Sequence, residues 1–149
     1  MRVKELLDLK GQTIDTISTD QTVEAAIHEM ADRKTSLLVV VKNESPVGLF
    51  AERDVLRCYL MEPDKTFREI RVQDAMTKKM IVAEPDYELR EAVDLMLKAD
   101  IRHLPVMQGK TLLGLLTIKD LVARLMSSLT SEIDHLHDYI SDLQEAGRD

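Results

Sequence analysis

The chain has 149 residues, enough for one ordinary domain or for two very small units that share a core. Its interior must be aliphatic, because 44% of the residues are hydrophobic while tryptophan is absent and the aromatics are three tyrosines and two phenylalanines. A net charge of -7 without a dense basic stripe excludes a broad nucleic-acid surface, and the longest apolar runs, such as Leu37 to Val41, are too short to cross a bilayer.

The first segment, MRVKELLDLK, lacks the pattern of a secretory signal, so a cytoplasmic protein without membrane contact is expected. The cap-like Asp20 and Thr22 then precede an amphipathic helix in which Val23, Ala26, Ile27 and Met30 recur at three- and four-residue spacing. Leu37 to Val41 reads as an apolar strand, Lys42-Asn43-Glu44-Ser45-Pro46 as a turn, and Val47 to Ala51 as a second strand closing a hairpin. A helix starts at Glu52. It carries Cys58, the single cysteine, which excludes an internal disulfide and leaves no cysteine cluster for zinc; its reading is a small core hydrophobe. Met61 to Arg71, with Pro63 and several charges, reads as a connector.

The same series then returns. Leu89, Ala92, Val93 and Met96 mark a helix, His103 to Met107 a strand, Gln108-Gly109-Lys110 a turn and Leu112 to Thr117 a strand, with a helix starting at Ile118. That helix runs on into a heptad-like stripe of Met126, Leu129, Ile133, Leu136, Ile140 and Leu143, with Gly147 near its end. The stripe packs back on its own module or pairs with a second chain, and the preferred assembly is a homodimer. His135 and His137, two apart, point to different sides of a helix and make a poor metal pair.

The return is a duplication. A shift of 66 residues aligns Asp20, Ala26, Met30, Leu38, Val40, Gly48, Leu49 and Asp54 with Asp86, Ala92, Met96, Leu104, Val106, Gly114, Leu115 and Asp120 without a gap. Eight identities over forty positions exceed the roughly two or three expected by chance. Paired positions that differ mostly keep their class, as in Val23 with Leu89, Phe50 with Leu116 and Arg53 with Lys119. Each unit of about fifty residues is too small to stand alone comfortably, so the two are expected to pack as one pseudo-symmetric body.

At the end of the second strand the copies read Gly48-Leu49-Phe50-Ala51-Glu52-Arg53-Asp54 and Gly114-Leu115-Leu116-Thr117-Ile118-Lys119-Asp120. A strand running into a helix leaves backbone N–H groups free and favours an anion there. A threonine hydroxyl can donate to a phosphate, an aspartate three residues on can accept two ribose hydroxyls, and a nearby lysine or arginine can neutralise phosphate charge. The duller alternative is that Thr117 or Asp120 only caps the helix. Catalysis is not expected: no G-x-S-x-G, Walker loop or HExxH pattern occurs, and Asp54 and Asp120 are repeat-equivalent rather than an acid–base pair.

The tandem ending in Gly-hydrophobic-hydrophobic-Thr-x-x-Asp resembles a pair of CBS (cystathionine beta-synthase) domains, a Bateman module, over about Val3 to Met126. The second half carries the closest likeness, with Asp74-Ala75-Met76-Thr77, Met80-Ile81-Val82, Ile101-Arg102-His103-Leu104-Pro105-Val106 and Gly114 to Asp120 in the family's order. The resemblance implies an α+β fold of two β-α-β-β-α repeats related by a pseudo-two-fold, here 1–62 and 72–126, joined by 63–71 and followed by a helical extension, 127–149. It also implies clefts that bind adenosyl ligands without chemistry, serving as an energy or metabolite sensor with a protein target that the sequence does not name. AMP is named first, ADP and ATP next, and NAD or S-adenosylmethionine after them.

Carried over, Asp120 would take the ribose hydroxyls and Thr117 the ribose or phosphate, while Thr77, Ile81, Ile101, Arg102 and His103 would line the adenine and phosphate pocket, with Lys119 nearby. The first repeat departs from the pattern: Ala51 replaces the hydroxyl residue, Asp8 lies near the position matching Thr77, and Leu37-Leu38-Val39 replaces His-Leu-Pro. Arg53 and Asp54 remain, so the first site is expected to be weak, empty or differently used, with Arg53 reaching toward phosphates across the central cleft. The competing reading is a dimerisation scaffold with vestigial clefts.

Overall fold

In the computed structural model, which describes residues 1–11 and 14–147, the apolar periodicities become eleven elements of mixed α and β type. They are α1 (Val3–Lys10), β1 (Thr16–Ser18), α2 (Val23–Arg33), β2 (Leu37–Lys42), β3 (Ser45–Ala51), α3 (Glu52–Met61), α4 (Val72–Ala75), α5 (Leu89–Ala99), β4 (His103–Gln108), β5 (Thr111–Thr117) and α6 (Ile118–Ala146). Strand β2 pairs parallel with β1 and antiparallel with β3, and β4 pairs antiparallel with β5.

Local chemistry explains the element ends. Thr22 caps α2 by accepting the Ala25 N–H at 3.1 Å; Asp20 does not serve as the cap residue. The β2–β3 hairpin turns through Asn43 and Glu44, both at positive φ (52° and 67°), which matches the right-handed strand twist. The β4–β5 hairpin uses Gly109 at φ 61°. Helices α2 and α5 both end on left-handed residues, Lys34 and Asp100, at the same φ of 54°.

The duplication holds down to single hydrogen-bonded registers. Ladder shifts fall between Val40 and Val41 in one hairpin and between Val106 and Met107 in the other. The second copy's first strand is reduced to one residue, Ala83, which forms a parallel bridge to Val106 as Ile17 pairs with Val40 in the first. Strands β3 and β5 touch, so the two units meet along their last strands.

The packed bodies are interleaved along the chain. One core gathers Ile17, Val23, Ala26, Leu38, Val40, Phe50 and Cys58 together with Ile70 from the end of the connector and Val72 and Ala75 from the start of the second copy. The other gathers Leu89, Ala92, Met96, Leu104, Val106, Leu116 and Leu121 together with Val3 and Leu6 from α1. Each short N-terminal arm is therefore lodged on the opposite repeat. The arms are held alike: Val3 N–H donates to the Tyr87 carbonyl and Val72 N–H to the Gln21 carbonyl, both at 2.8 Å. The connector is also packed, with Phe67 against the first core and its carbonyl accepting Glu24 N–H at 3.1 Å.

Two glycines make room for the arms. A Cβ on Gly48 would lie 2.8 Å from both Met76 Sδ and the Thr77 carbonyl oxygen, and one on Gly114 would lie 2.7 Å from Leu7 Cδ2. Arm residues Val3 and Leu7 thus correspond to Val72 and Met76, an offset of 69 rather than 66, so the first arm is joined to its unit by three more residues. That extra stretch, nearly one helical turn, lets α1 continue to Lys10 whereas α4 stops at Ala75.

Candidate functional site

Both Gly-hydrophobic-hydrophobic-x-x-x-Asp segments end a strand and open a helix, as their sequence suggests. At α6, Thr117 Oγ1 accepts the Asp120 N–H at 3.1 Å while Asp120 Oδ2 accepts the Thr117 N–H at 2.9 Å. This reciprocal cap satisfies two end groups of the helix, so the capping role is real. The Thr117 hydroxyl also acts on the Asp120 carboxylate, so threonine and aspartate form one coupled pair at the helix end.

Asp120 is about one-quarter exposed and is also paired with Lys10, whose Nζ donates to Oδ2 and to the Leu115 carbonyl oxygen at 3.3 Å. Burial pushes the carboxyl upward, but the Lys10 hydrogen bond and the Thr117 donors outweigh it, and the net shift is below the ordinary carboxylate value. His103 is half-buried at the start of β4, opposite Thr117 in the ladder. Burial, followed by the positive charges of Lys10, Arg102 and Arg53, pushes its protonation down, and Asp120 opposes them. Lys10 from α1 thus stands on Asp120, Arg102 adjoins His103 at the entry of β4, and the charge of Arg53 from α3 also acts on His103.

Ile81 and Ile101 pack against the second core, on the same unit as His103 and Asp120. Arg102 and Lys119 are exposed, and the Arg102 carbonyl accepts the Ile118 N–H at 2.9 Å, tying the start of α6 to the entry of β4. Thr77 lies elsewhere. Its backbone pairs with Leu49, and its hydroxyl donates to Asp54 Oδ1 at 2.8 Å. The arm exchange sets Thr77 against Asp54 of the first unit and brings Asp8 and Lys10 to the second, where Asp120 lies.

Asp54 differs from its counterpart. It is 2% exposed, and its carboxylate accepts from Ala51 N–H at 2.8 Å, Arg57 Nη2 at 2.6 Å and Thr77 Oγ1. Arg57 also donates to the Ala75 carbonyl oxygen at 2.9 Å. Asp54 is therefore a buried fastener between α3 and the arm, with no face turned to a ribose. Arg53 is exposed on the neighbouring turn and contributes to the charges around His103.

The sequence reading missed Lys10 and Arg57. Arg57 had a local signal, since three residues after Asp54 on a helix brings it to the same face. Lys10 had none, because its partner lies 110 residues away.

A wide hollow lined by Val82, Glu84, Pro85, Asp86, Met107, Gln108 and Gly109 sits by the β4–β5 turn, away from both aspartates. It presents two carboxylates and no cation, which suits a nucleotide phosphate poorly. Among the described residues, no group of three or more His, Cys, Asp or Glu side chains is placed to hold a metal ion, and no helix is long and apolar enough to cross a membrane.

The CBS domain family model matches residues 8–60 and 72–127. The chain is 30% identical over 147 residues to the mitochondrial CBS domain-containing protein CBSX3 of Arabidopsis thaliana, covering 93% of this chain and 71% of that protein. It is 35% identical over 124 residues to the inosine-5'-monophosphate dehydrogenase of Methanocaldococcus jannaschii, covering 82% of this chain and 24% of the enzyme. Among solved structures, a CBS-domain protein from Burkholderia ambifaria superposes with a TM-score of 0.78 at 32% identity, over 85% of this chain and 95% of that one. With the repeat, the strand-to-helix aspartates and the matched family model in agreement, the chain belongs to the CBS domain family and carries two CBS domains.

Proposed function

We propose that this chain is a non-catalytic regulatory module that binds an adenine nucleotide at one cleft, beside Asp120, and works as a homodimer. Tandem CBS domains are regulatory modules, and the module here matches the CBS region of an IMP dehydrogenase. The observation that carries the ligand reading is the company Asp120 keeps. A carboxylate suited to a ribose diol and a threonine hydroxyl coupled to it stand at a helix N-terminus, with Lys10 on that carboxylate and the positive charges of Arg102 and Arg53 also acting on this end of the unit for a phosphate. The first cleft takes no ribose in this reading, because Asp54 is buried and already accepts three hydrogen bonds.

AMP is the ligand named first, with ADP and ATP next, and NAD and S-adenosylmethionine as comparators. Nucleotide bound at a hundredfold excess over Kd should stabilise the fold by about 2.7 kcal/mol. The test is a thermal-shift titration of wild type and Asp120→Ala with all five compounds. Stabilisation of the wild type that the substitution abolishes supports the sensor; no shift in either protein returns the module to a pure scaffold.

The scaffold reading has its own observation. Leu56, Tyr59 and Leu60 on α3, and Val122 and Met126 on α6, are exposed, and the exposure continues along Leu129, Ile133, Leu136, Ile140 and Leu143. Leu56 and Leu60 match Val122 and Met126 at the repeat offset of 66, so the two helices present similar apolar faces. A two-fold pairing of such faces would cover them, which is why a second copy of the chain is the partner we name.

A further inference from the structure

Asp120 does not meet the cleft as a free carboxylate. The Lys10 ammonium sits on Oδ2, and α1, which carries it, is clamped to the second unit by Val3, by Leu6 and by Lys4 N–H donating to the Pro85 carbonyl at 3.0 Å. Lys10 and Asp120 are each about one-quarter exposed, so a ligand can reach the pair. Any ribose that takes hydrogen bonds from Asp120 must share or displace the ammonium. A ligand with a phosphate offers that ammonium a new anionic acceptor and a neutral nucleoside offers none, while S-adenosylmethionine places a repelled sulfonium at the ribose 5' carbon and its carboxylate only further out. The first unit has no such exchange, because the arginine on Asp54 comes from its own helix and the carboxylate is buried.

We propose that Lys10 is a specificity-determining residue of the second cleft, making it select phosphorylated adenosine compounds over adenosine itself and over S-adenosylmethionine. The proposal rests on the reading of that cleft as an adenosyl-ligand site. It assigns to the exchanged arm the job of reporting whether the ligand carries a phosphate, a distinction that Thr117 and Asp120 cannot make through the ribose alone.

The experiment is isothermal titration of wild type, Lys10→Met and Lys10→Arg with AMP, adenosine and S-adenosylmethionine, with thermal unfolding of each ligand-free protein to verify folding. Wild type is expected to favour AMP over adenosine by about tenfold or more, the size of one charge-assisted hydrogen bond. Lys10→Met should narrow that ratio by weakening AMP and strengthening adenosine, while Lys10→Arg keeps it. A Lys10→Met protein that binds AMP and adenosine with the wild-type ratio overturns the role of Lys10 and leaves the nucleotide site standing. Absence of binding by all three proteins removes the nucleotide site, and this proposal with it.

Discussion

Two aspartates at equivalent positions, Asp54 and Asp120, have opposite surroundings, and their substitutions should behave differently. Removing the Asp54 carboxylate strands Arg57, Thr77 Oγ1 and the Ala51 N–H around a buried gap. Asp54→Ala should lower stability by about 1–3 kcal/mol in urea unfolding, the scale for leaving buried hydrogen-bond donors unpaired, since Arg57 is 45% exposed and regains water. Asp120→Ala, at a partly exposed position, should lower it much less while removing ligand response. The second unit is also acid-sensitive at two places. His103, faced by Lys10, Arg102, Arg53 and Asp120, binds its proton less readily in the folded chain than the ordinary value of 6.5. The unfolded chain therefore takes up more protons as pH falls, so this contribution is complete above 6.5 and is lost below it. Asp120 acts in the same direction lower down, its contribution being present above 3.8 and lost as pH falls through the depressed folded value. Urea midpoints across this range should show His103→Asn flattening the upper slope only. Asp120 and Thr117 stood out in the sequence because strand-to-helix chemistry is local, and His103 only through the family resemblance; Lys10 did not, because a long-range ion pair leaves no periodic trace.

At the level of elements, the hairpins and the helices that follow them lie where the repeat and the turn residues put them, and α3 and α6 start at Glu52 and Ile118 as expected. The arms were not legible. Their four- and eight-residue helices contain too few apolar positions to reveal which unit they cover, and that choice depends on a gap opened by a glycine in the other repeat. The two glycines are not equivalent under substitution. In Gly48→Ala the new methyl meets the Thr77 carbonyl, which is fixed by its pairing with Leu49; in Gly114→Ala it meets only the end of the Leu7 side chain. Gly48→Ala should cost about 1–3 kcal/mol, the range for overpacking, and Gly114→Ala less, as read by urea midpoints.

For the whole molecule, the sequence made a two-unit α+β module readable, since a gapless repeat of small units demands a shared body. What the long helix α6 packs against was not readable, because a heptad stripe suits a partner chain and its own module equally. From Met126 to Gly147 every residue is exposed within the single chain. Truncation after Ser127 should therefore leave the unfolding of the monomeric body little changed while weakening self-association, measured by sedimentation velocity over a range of concentrations; an unchanged association would exclude the tail from the interface. The exchanged arms also bear on how the molecule is made. During synthesis the first body can close once Thr77 has left the ribosome, since its arm is then available. The apolar face of α1, with Val3 and Leu6, must wait uncovered until β5 and the start of α6 have emerged. The arm that precedes the first repeat is thus buried only after the second repeat has emerged, and a chain stalled between the two repeats would hold one closed body and one orphaned helix.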